Sequence, residues 1–595
     1  MSKPRSTAIL LLAVALATAG WMYYRTTQEQ LWSYAPLALY LSLFGAYFLL
    51  RNFPSGQPAR PDAWLSVATG ALLGLGFPGI LPVPLLTLVA FVPMFELAHR
   101  LNDRDAGLGE WFRHGFTAFL LYNILATYWV TNTGFFAGCF AVLANSVLMT
   151  LPWLFARRVL RLMPSYFFVG FAAAWLAFEF GHYRWELNWP WLTLGNAFAQ
   201  WPSLVQWYEL TGALGGSFWI LLCNYLVYQL YFLGTRPDPE DEGWRAYRNR
   251  RLRNFGVALA AVVLLPLGGS LLRYATYAEP AGEEITVAAI QPNFEPHYEK
   301  FNDPLQTAPL DTFVVLSRAA LAAGPVDYLV FPETSFRGVN ELDPFSSQIV
   351  RTLSEELNGL GADYLFTGVS AIRKFAPGEE VSRAVRYSGD VAYEGVNGVL
   401  QLELGTNNFA TYRKGLFVPG AESFPFRDFL PFMEPLVNSI GGTVAGLGTQ
   451  PRRTALPGKR AVIAPVICYE SVFGDYFGWY VKAGAQAAFV VTNDGWWDRT
   501  AGYRQHLWLS SLRAVETRRA VVRAANLGAC AFIDQRGAIV SRTEYDEMGY
   551  LRGTVRLNDA LTVYVRYGDY LGAIALGLFV VVFGLTFLPR FRQVE

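Results

Sequence analysis

The groups in this chain best suited to covalent chemistry centre on a thiol. In AVIAPVICYES (461–471) a run of small and β-branched residues stops at Cys468, with Glu470 two positions on. That pattern predicts a buried strand whose end delivers the thiol to a cleft. Two more groups follow apolar runs in the same way: Glu333, which ends YLVFPET behind a proline, and Lys414 in TYRKGLFVPGAE. Singly, each has a plain structural reading: Cys468 as a small core hydrophobe, Glu333 as a helix-capping acid, Lys414 as a surface lysine. Together they supply what acyl transfer needs. A carboxylate takes the thiol proton, because the thiolate is the nucleophile. An ammonium holds the charge of a tetrahedral intermediate, and the sulfur carries the acyl group as a thioester.

Other chemistries find less support. The four cysteines (Cys139, Cys223, Cys468, Cys530) are far apart, and the five histidines (His99, His114, His182, His297, His506) are scattered. Neither set suggests a disulfide framework or a metal centre, so no cofactor is expected. A net charge of +1 argues against a nucleic-acid partner.

What must position these groups is a chain of two characters. It has 595 residues, 53% of them hydrophobic and 16% aromatic, with a mean hydropathy of +0.24. Long stretches without charge fill the first half, and an ordinary mixture begins after residue 280 or so, which indicates a membrane domain followed by a globular one. Apolar spans are expected near 7–23, 32–50, 65–80, 83–97, 115–133, 135–156, 165–181, 211–234, 254–274 and 566–588. The first is read as an uncleaved signal-anchor, with a cleaved signal peptide as the alternative. Pro78, Pro82 and Pro84 interrupt the third and fourth spans, which read as a broken pair.

Basic residues gather in alternate loops: Arg51 and Arg60; Arg100, Arg104 and Arg113; Arg157, Arg158 and Arg161; six arginines from Arg236 to Arg253; and Arg590 with Arg592. By the positive-inside pattern these lie on the cytoplasmic side, which puts 275–565 on the outer face. The outward loop 182–209 is dense in tryptophan, including Trp189 and Trp191. It reads either as an interfacial aromatic belt or as a roof that shapes lipid entry.

From Glu284 onward, short strands ending in polar residues (ITVAAIQPN, VDYLVFPET, ADYLFTGVSAI, GVNGVLQLE, AAFVVTND) alternate with helical stretches such as 311–323 and 504–525. This is the pattern of an α/β layered domain. Within 501–525, Arg513, Glu516 and Arg519 are spaced three apart on one expected helix face.

FPET, YRKGLFVPGAE, PVICYES and TNDGWW, followed by YRQH and RAVETRR, resemble the nitrilase superfamily of carbon–nitrogen hydrolases. NWPWLTLG and GALGGSFWILLCN in the membrane half make the chain similar to the apolipoprotein N-acyltransferase family. The resemblance covers about residues 65–590 and leaves the first two spans as an addition to the family's usual eight. It implies a polytopic helical membrane domain and a nitrilase-like αββα sandwich, closed by a C-terminal transmembrane helix. The domains would run 1–64 (extra spans), 65–280 (membrane), 281–562 (catalytic) and 563–595 (last span and tail).

The activity so implied is transfer of an acyl chain from a phospholipid, commonly phosphatidylethanolamine, to the N-terminal amine of a diacylglyceryl-cysteine lipoprotein. The setting would be the bacterial inner membrane, with the catalytic domain periplasmic and a monomer the simplest assembly. Carried over residue by residue, Cys468 is the nucleophile, Glu333 the base and Lys414 the oxyanion group. Glu422, Asn397, Tyr469 and Glu470 match pocket positions, and Trp189 and Trp191 match an aromatic membrane-face motif. Two departures stand out: VPGAE in place of the commoner VPFGE, and NLGAC in place of N-x-G-[ST]. The alternative is a membrane-tethered amidase that uses water as acceptor.

Overall fold

The computed structural model describes residues 3–53, 61–236, 241–297, 306–429, 432 and 446–588. They form two compact units: Met1–Trp185 with Trp189–Arg273 and Asp569–Glu595, and Tyr274–Gly568 with Glu186–Asn188. Of the charges that set the expected orientation, Arg60, Arg590 and Arg592 lie outside the described residues.

The first unit is helical. By length and composition, five of its described helices can cross a membrane: Pro4–Thr27, Pro84–Asp103, Phe135–Leu162, Tyr208–Thr235 and Glu242–Thr276, with Tyr570–Leu585 a shorter apolar helix. Helices also form at Ala35–Asn52, Pro61–Gly76, Leu108–Thr127 and Phe167–His182. At the proline-rich break, helix Pro61–Gly76 stops ahead of Pro78, and a 3₁₀ turn, Pro84–Val89, leads into helix Val92–Asp103. A break inside an apolar slab leaves backbone groups that lipid cannot satisfy. Asn224 satisfies two of them: its Oδ1 accepts from Phe91 N (2.6 Å) and its Nδ2 donates to Thr87 O (2.8 Å).

The second unit is built on two sheets. The first takes β1 (Glu284–Gln291), β2 (Val326–Asn340), β3 (Ala362–Lys374), β4 (Arg386–Ser388), β5 (Val391–Glu403), β6 (Phe409–Arg413) and β13 (Gly549–Arg556). Its order is β13-β1-β2-β3-β5-β4, with β6 also on β5. The second runs β12-β11-β10-β9-β8-β7, from β7 (Leu456–Pro457), β8 (Val462–Ile467), β9 (Ala487–Thr492), β10 (Val521–Ala525), β11 (Ala531–Ile533) and β12 (Ile539–Arg542). In each sheet the three parallel strands, β1–β2–β3 and β8–β9–β10, are buried on both faces, as their near-continuous apolar sequences require.

Alternation along β2 builds the layers. Tyr328 and Val330 share a core with Ile463, Val466 and Phe489 of the other sheet. Leu329 and Phe331 instead pack with Phe313 of helix Thr307–Ala322 and Leu353 of helix Gln348–Leu357. Leu507 and Ala514 of helix Ala501–Thr517 and Phe477 of helix Gly474–Lys482 join the core on the side of the second sheet. The result is the expected αββα sandwich.

Two local expectations are corrected. The helix expected through 525 ends at Thr517, because Arg518 turns left-handed (φ 52°) and VVRAA becomes the buried strand β10. Arg513 and Glu516 still pair, at 2.8 Å, but Arg519 has left the helix and donates to the carbonyls of Ala485 and Ala560. Strand β2, in turn, does not end at Glu333. Phe331 pairs with Thr367 and Phe336 with Val369, so Pro332–Ser335 bulge opposite Gly368 before the strand resumes.

Candidate active site

Glu333 and Cys468 sit at irregularities that re-aim their side chains. Glu333 lies in the β2 bulge, where Thr334 is left-handed (φ 48°). The facing backbone leaves no room for a side chain at Gly368, whose Cβ would stand 2.5 Å from Pro332 O and 2.6 Å from Glu333 Cα. Lys414 follows β6, its N–H bonded to Asn397 O of β5 at 2.9 Å. Cys468 leaves β8 in a left-handed conformation (φ 46°), unusual for a residue with a side chain, and opens the 3₁₀ turn Cys468–Val472.

Around the thiol the charges are buried and interlocked. Lys414 Nζ, 1% exposed, donates to Glu333 Oε1 at 3.1 Å and Glu422 Oε1 at 2.7 Å. Asn397 Nδ2 donates to Glu333 Oε1 at 2.8 Å and Glu422 Oε1 at 3.4 Å. Burial works against the charge on Lys414, but Glu333 and Glu422 overcome it and hold the ammonium well above its ordinary pKa. The thiol's pKa rises too, but there the rise disfavours the charged form. Burial and then Glu333 push Cys468 well above the ordinary range, and the pull of Lys414 does not cancel them. Two carboxylates to one ammonium leave a negative surplus, so the resting site favours a protonated thiol.

Glu470 is a different kind of acid. Its Oε1 accepts from Tyr412 Oη (2.9 Å), Gly415 N (2.7 Å) and Tyr476 Oη (2.8 Å), and its Oε2 from Ile467 N and Tyr480 Oη, both 2.9 Å. Burial raises its pKa against those donors. With its lone pairs engaged, it braces the turn that carries the thiol and ties that turn to the residue after Lys414. Tyr469 Oη donates to Asn188 O at 2.8 Å.

Of the residues singled out in the sequence, Glu333, Asn397, Lys414, Glu422, Cys468, Tyr469 and Glu470 fall in the second unit. Trp189 and Trp191 belong to the first, where their rings stack at 5.8 Å and Trp191 meets Trp129 at 4.9 Å. The sequence departures are absorbed. Glu422 of VPGAE reaches Lys414 with its other oxygen on Val418 N (2.9 Å), and Cys530 of NLGAC is buried with Sγ 3.3 Å from Ala525 N.

Sequence reasoning missed the three tyrosines on Glu470. It also missed a group behind Cys468, formed by Asp494, His506 and Arg523. The motifs TNDGWW and YRQH contained two of that group without revealing a role.

Two family models match the chain. The apolipoprotein N-acyltransferase N-terminal domain covers residues 69–226, and the carbon–nitrogen hydrolase domain covers 286–563. The chain belongs to the apolipoprotein N-acyltransferase family. It is similar to a protein of that name from Chlorobaculum tepidum, 28% identical over 87% of this chain and 94% of the relative. The Pseudomonas aeruginosa protein of that name is 29% identical over 86% and 93% respectively. Among solved structures, Saccharomyces cerevisiae Nit3, of the nitrilase superfamily, shares 16% identity at a TM-score of 0.34, covering 46% of this chain and 90% of its own.

Proposed function

We propose that the protein moves a fatty acyl chain from a phospholipid onto Cys468, and from there onto the N-terminal α-amine of a diacylglyceryl-cysteine lipoprotein. The observation that carries this reading is the pairing of the family's membrane half with a hydrolase half that buries Glu333 against Lys414 and Cys468. Glu333 takes the Sγ proton as sulfur attacks the ester carbonyl, and Lys414 holds the oxyanion. The C–O bond breaks, and the proton passes to the departing glycerol oxygen. In the second half the amine attacks the thioester, gives its proton through Glu333, and the C–S bond breaks to return the thiol.

A membrane domain suits such a donor, because drawing an acyl chain into water costs about 0.8 kcal/mol per CH₂. The arginine-rich loops support a periplasmic catalytic unit on a bacterial inner membrane. Phosphatidylethanolamine is the proposed donor. One chain holds all the named groups, which supports a monomer.

Intact-mass measurement after incubation with phosphatidylethanolamine vesicles tests this. A hydroxylamine-sensitive adduct of one acyl chain on Cys468, stable until an amine acceptor is added, is the expected result. Rapid turnover to free fatty acid without acceptor would instead mark a water-using amidase. The β2 bulge gives a second test. Gly368→Ala forces a methyl group against Pro332 O and Glu333 Cα, displacing the base, and adduct formation should slow ~10²-fold. A wild-type rate would show that the placement of Glu333 is not critical.

A further inference from the structure

The first two spans lie outside the matched family model, which begins at residue 69. They form a hairpin of helices Pro4–Thr27 and Ala35–Asn52, and its contacts fall on one irregular segment. Helix Leu108–Thr127 gives way to a 3₁₀ turn, Tyr128–Asn132, before helix Phe135–Leu162 begins. Residues 128, 131, 132 and 135 recur at helical spacing, and each meets the hairpin. Tyr128 faces the ring of Tyr34 at 5.7 Å, and Phe135 that of Trp32 at 6.1 Å. Asn132 Nδ2 donates to Ser33 O at 3.1 Å. Tyr40 Oη lies 2.6 Å from Thr131 Oγ1 and 3.3 Å from Cys139 Sγ.

Trp129, inside the same turn, reaches the tryptophan-rich loop instead. Its ring meets Trp191 at 4.9 Å and Trp189 at 6.5 Å. The turn has little slack. Thr131 is wholly buried, and a Cβ on Gly138 would overlap Thr131 Cα, so the turn and the start of the next helix form one block. Tyr40 holds that block at both ends, through Thr131 and Cys139. In a slab without water neither hydroxyl has another solvent partner to fall back on.

We propose that the added hairpin sets the affinity for the phospholipid donor, with Tyr40 as its positioning residue. Of the three clustered indoles, Trp129 and Trp191 are buried and Trp189 is half-buried. Trp189 therefore offers the ring surface on which a lipid lies where its polar and apolar parts meet. Its plane is within 17° of that of Trp191. Trp191 rests on Trp129, and Trp129 on the turn that Tyr40 fixes. Such a platform meets the donor equally before and during attack on its ester, so loosening it raises KM and leaves kcat alone.

The inference rests on the acyl-transfer reading, and the experiment keeps the two apart. Full-length protein in detergent micelles meets a rising mole fraction of phosphatidylethanolamine, and intact mass follows the Cys468 adduct. The plateau reports the active fraction, so lost protein does not enter the rate constant. Tyr40→Phe keeps the ring and removes the hydroxyl. It should raise the half-saturating mole fraction about three- to tenfold with the saturating rate unchanged. Thr131→Val should do the same, and the double variant should be no worse than either single one. In a Trp129→Leu background, where the platform is already gone, Tyr40→Phe should add nothing. A hydroxyl that only stabilises the fold would lower Tm and the plateau and leave half-saturation in place, which would overturn the inference. So would an undiminished Tyr40→Phe effect in the Trp129→Leu background, or a fall in the saturating rate alone. A wild-type enzyme that never acylates Cys468 would overturn the functional reading instead.

Discussion

Cys468→Ser should leave a folded protein that forms no hydroxylamine-sensitive adduct and transfers acyl chains at least ~10⁴-fold more slowly. The exchange nearly conserves volume at a position only 7% exposed, so thermal unfolding should shift by no more than a few degrees. The chemical loss comes from acidity. Burial and Glu333 already push the thiol well above its ordinary range, and a serine hydroxyl starts far higher. A carboxylate base able to take a proton from sulfur at the moment of attack cannot take one from oxygen at a useful rate. Intact mass after exposure to phospholipid, together with an acceptor-acylation assay, checks both halves. Wild-type turnover in the serine variant would remove Cys468 from the mechanism.

Lys414→Met has the second large effect, and it damages two things. It removes the cation proposed to hold the oxyanion, worth ~10²–10³ in rate. It also strands Glu333 and Glu422, which the same nitrogen joins at 3.1 and 2.7 Å. Breaking a buried ion pair from one side costs about 3–5 kcal/mol, because the remaining charge is uncompensated. The double variant Lys414→Met, Glu422→Gln takes away one of the two stranded charges and returns the cluster to its original net charge. Its Tm should recover most of the loss while the transfer rate stays at the level of the single variant. Rate and stability recovering together would mean that Lys414 serves only to hold the fold. The comparison needs nothing beyond a melt and an activity assay in the same detergent.

The sequence made the candidate groups easier to see than their supports. Cys468 was legible because the β-branched run before it ends so sharply, and Glu333 and Lys414 because each follows an apolar run of its own. The bulge that aims Glu333 was not, since it exists only through pairing with β3, where Gly368 faces Pro332–Ser335. The same holds for Glu470. Its acceptor role depends on Tyr412, Tyr476 and Tyr480, which come from a strand and a helix more than sixty positions apart. The over-long helix after 501 shows the limit of periodicity. AVETRRAVVRAA keeps a helical rhythm across Arg518, and nothing local in an arginine announces a left-handed residue. Pairing on both sides, parallel with β9 and antiparallel with β11, decides for a strand there. In the membrane half, hydropathy found the long helices, but the polar side chain that completes the break at Pro84–Phe91 carries no apolar signal at all.

That side chain also constrains the order of assembly. The amide that completes Phe91 belongs to Asn224, 133 residues later. At the pace of synthesis, about 5–20 residues per second, the two are made roughly ten seconds apart. During that interval the turn has neither its native partner nor, once in oil, any water to stand in for one. The segment therefore settles into lipid at a cost, or waits in a wetter place until the helix bearing Asn224 arrives beside it.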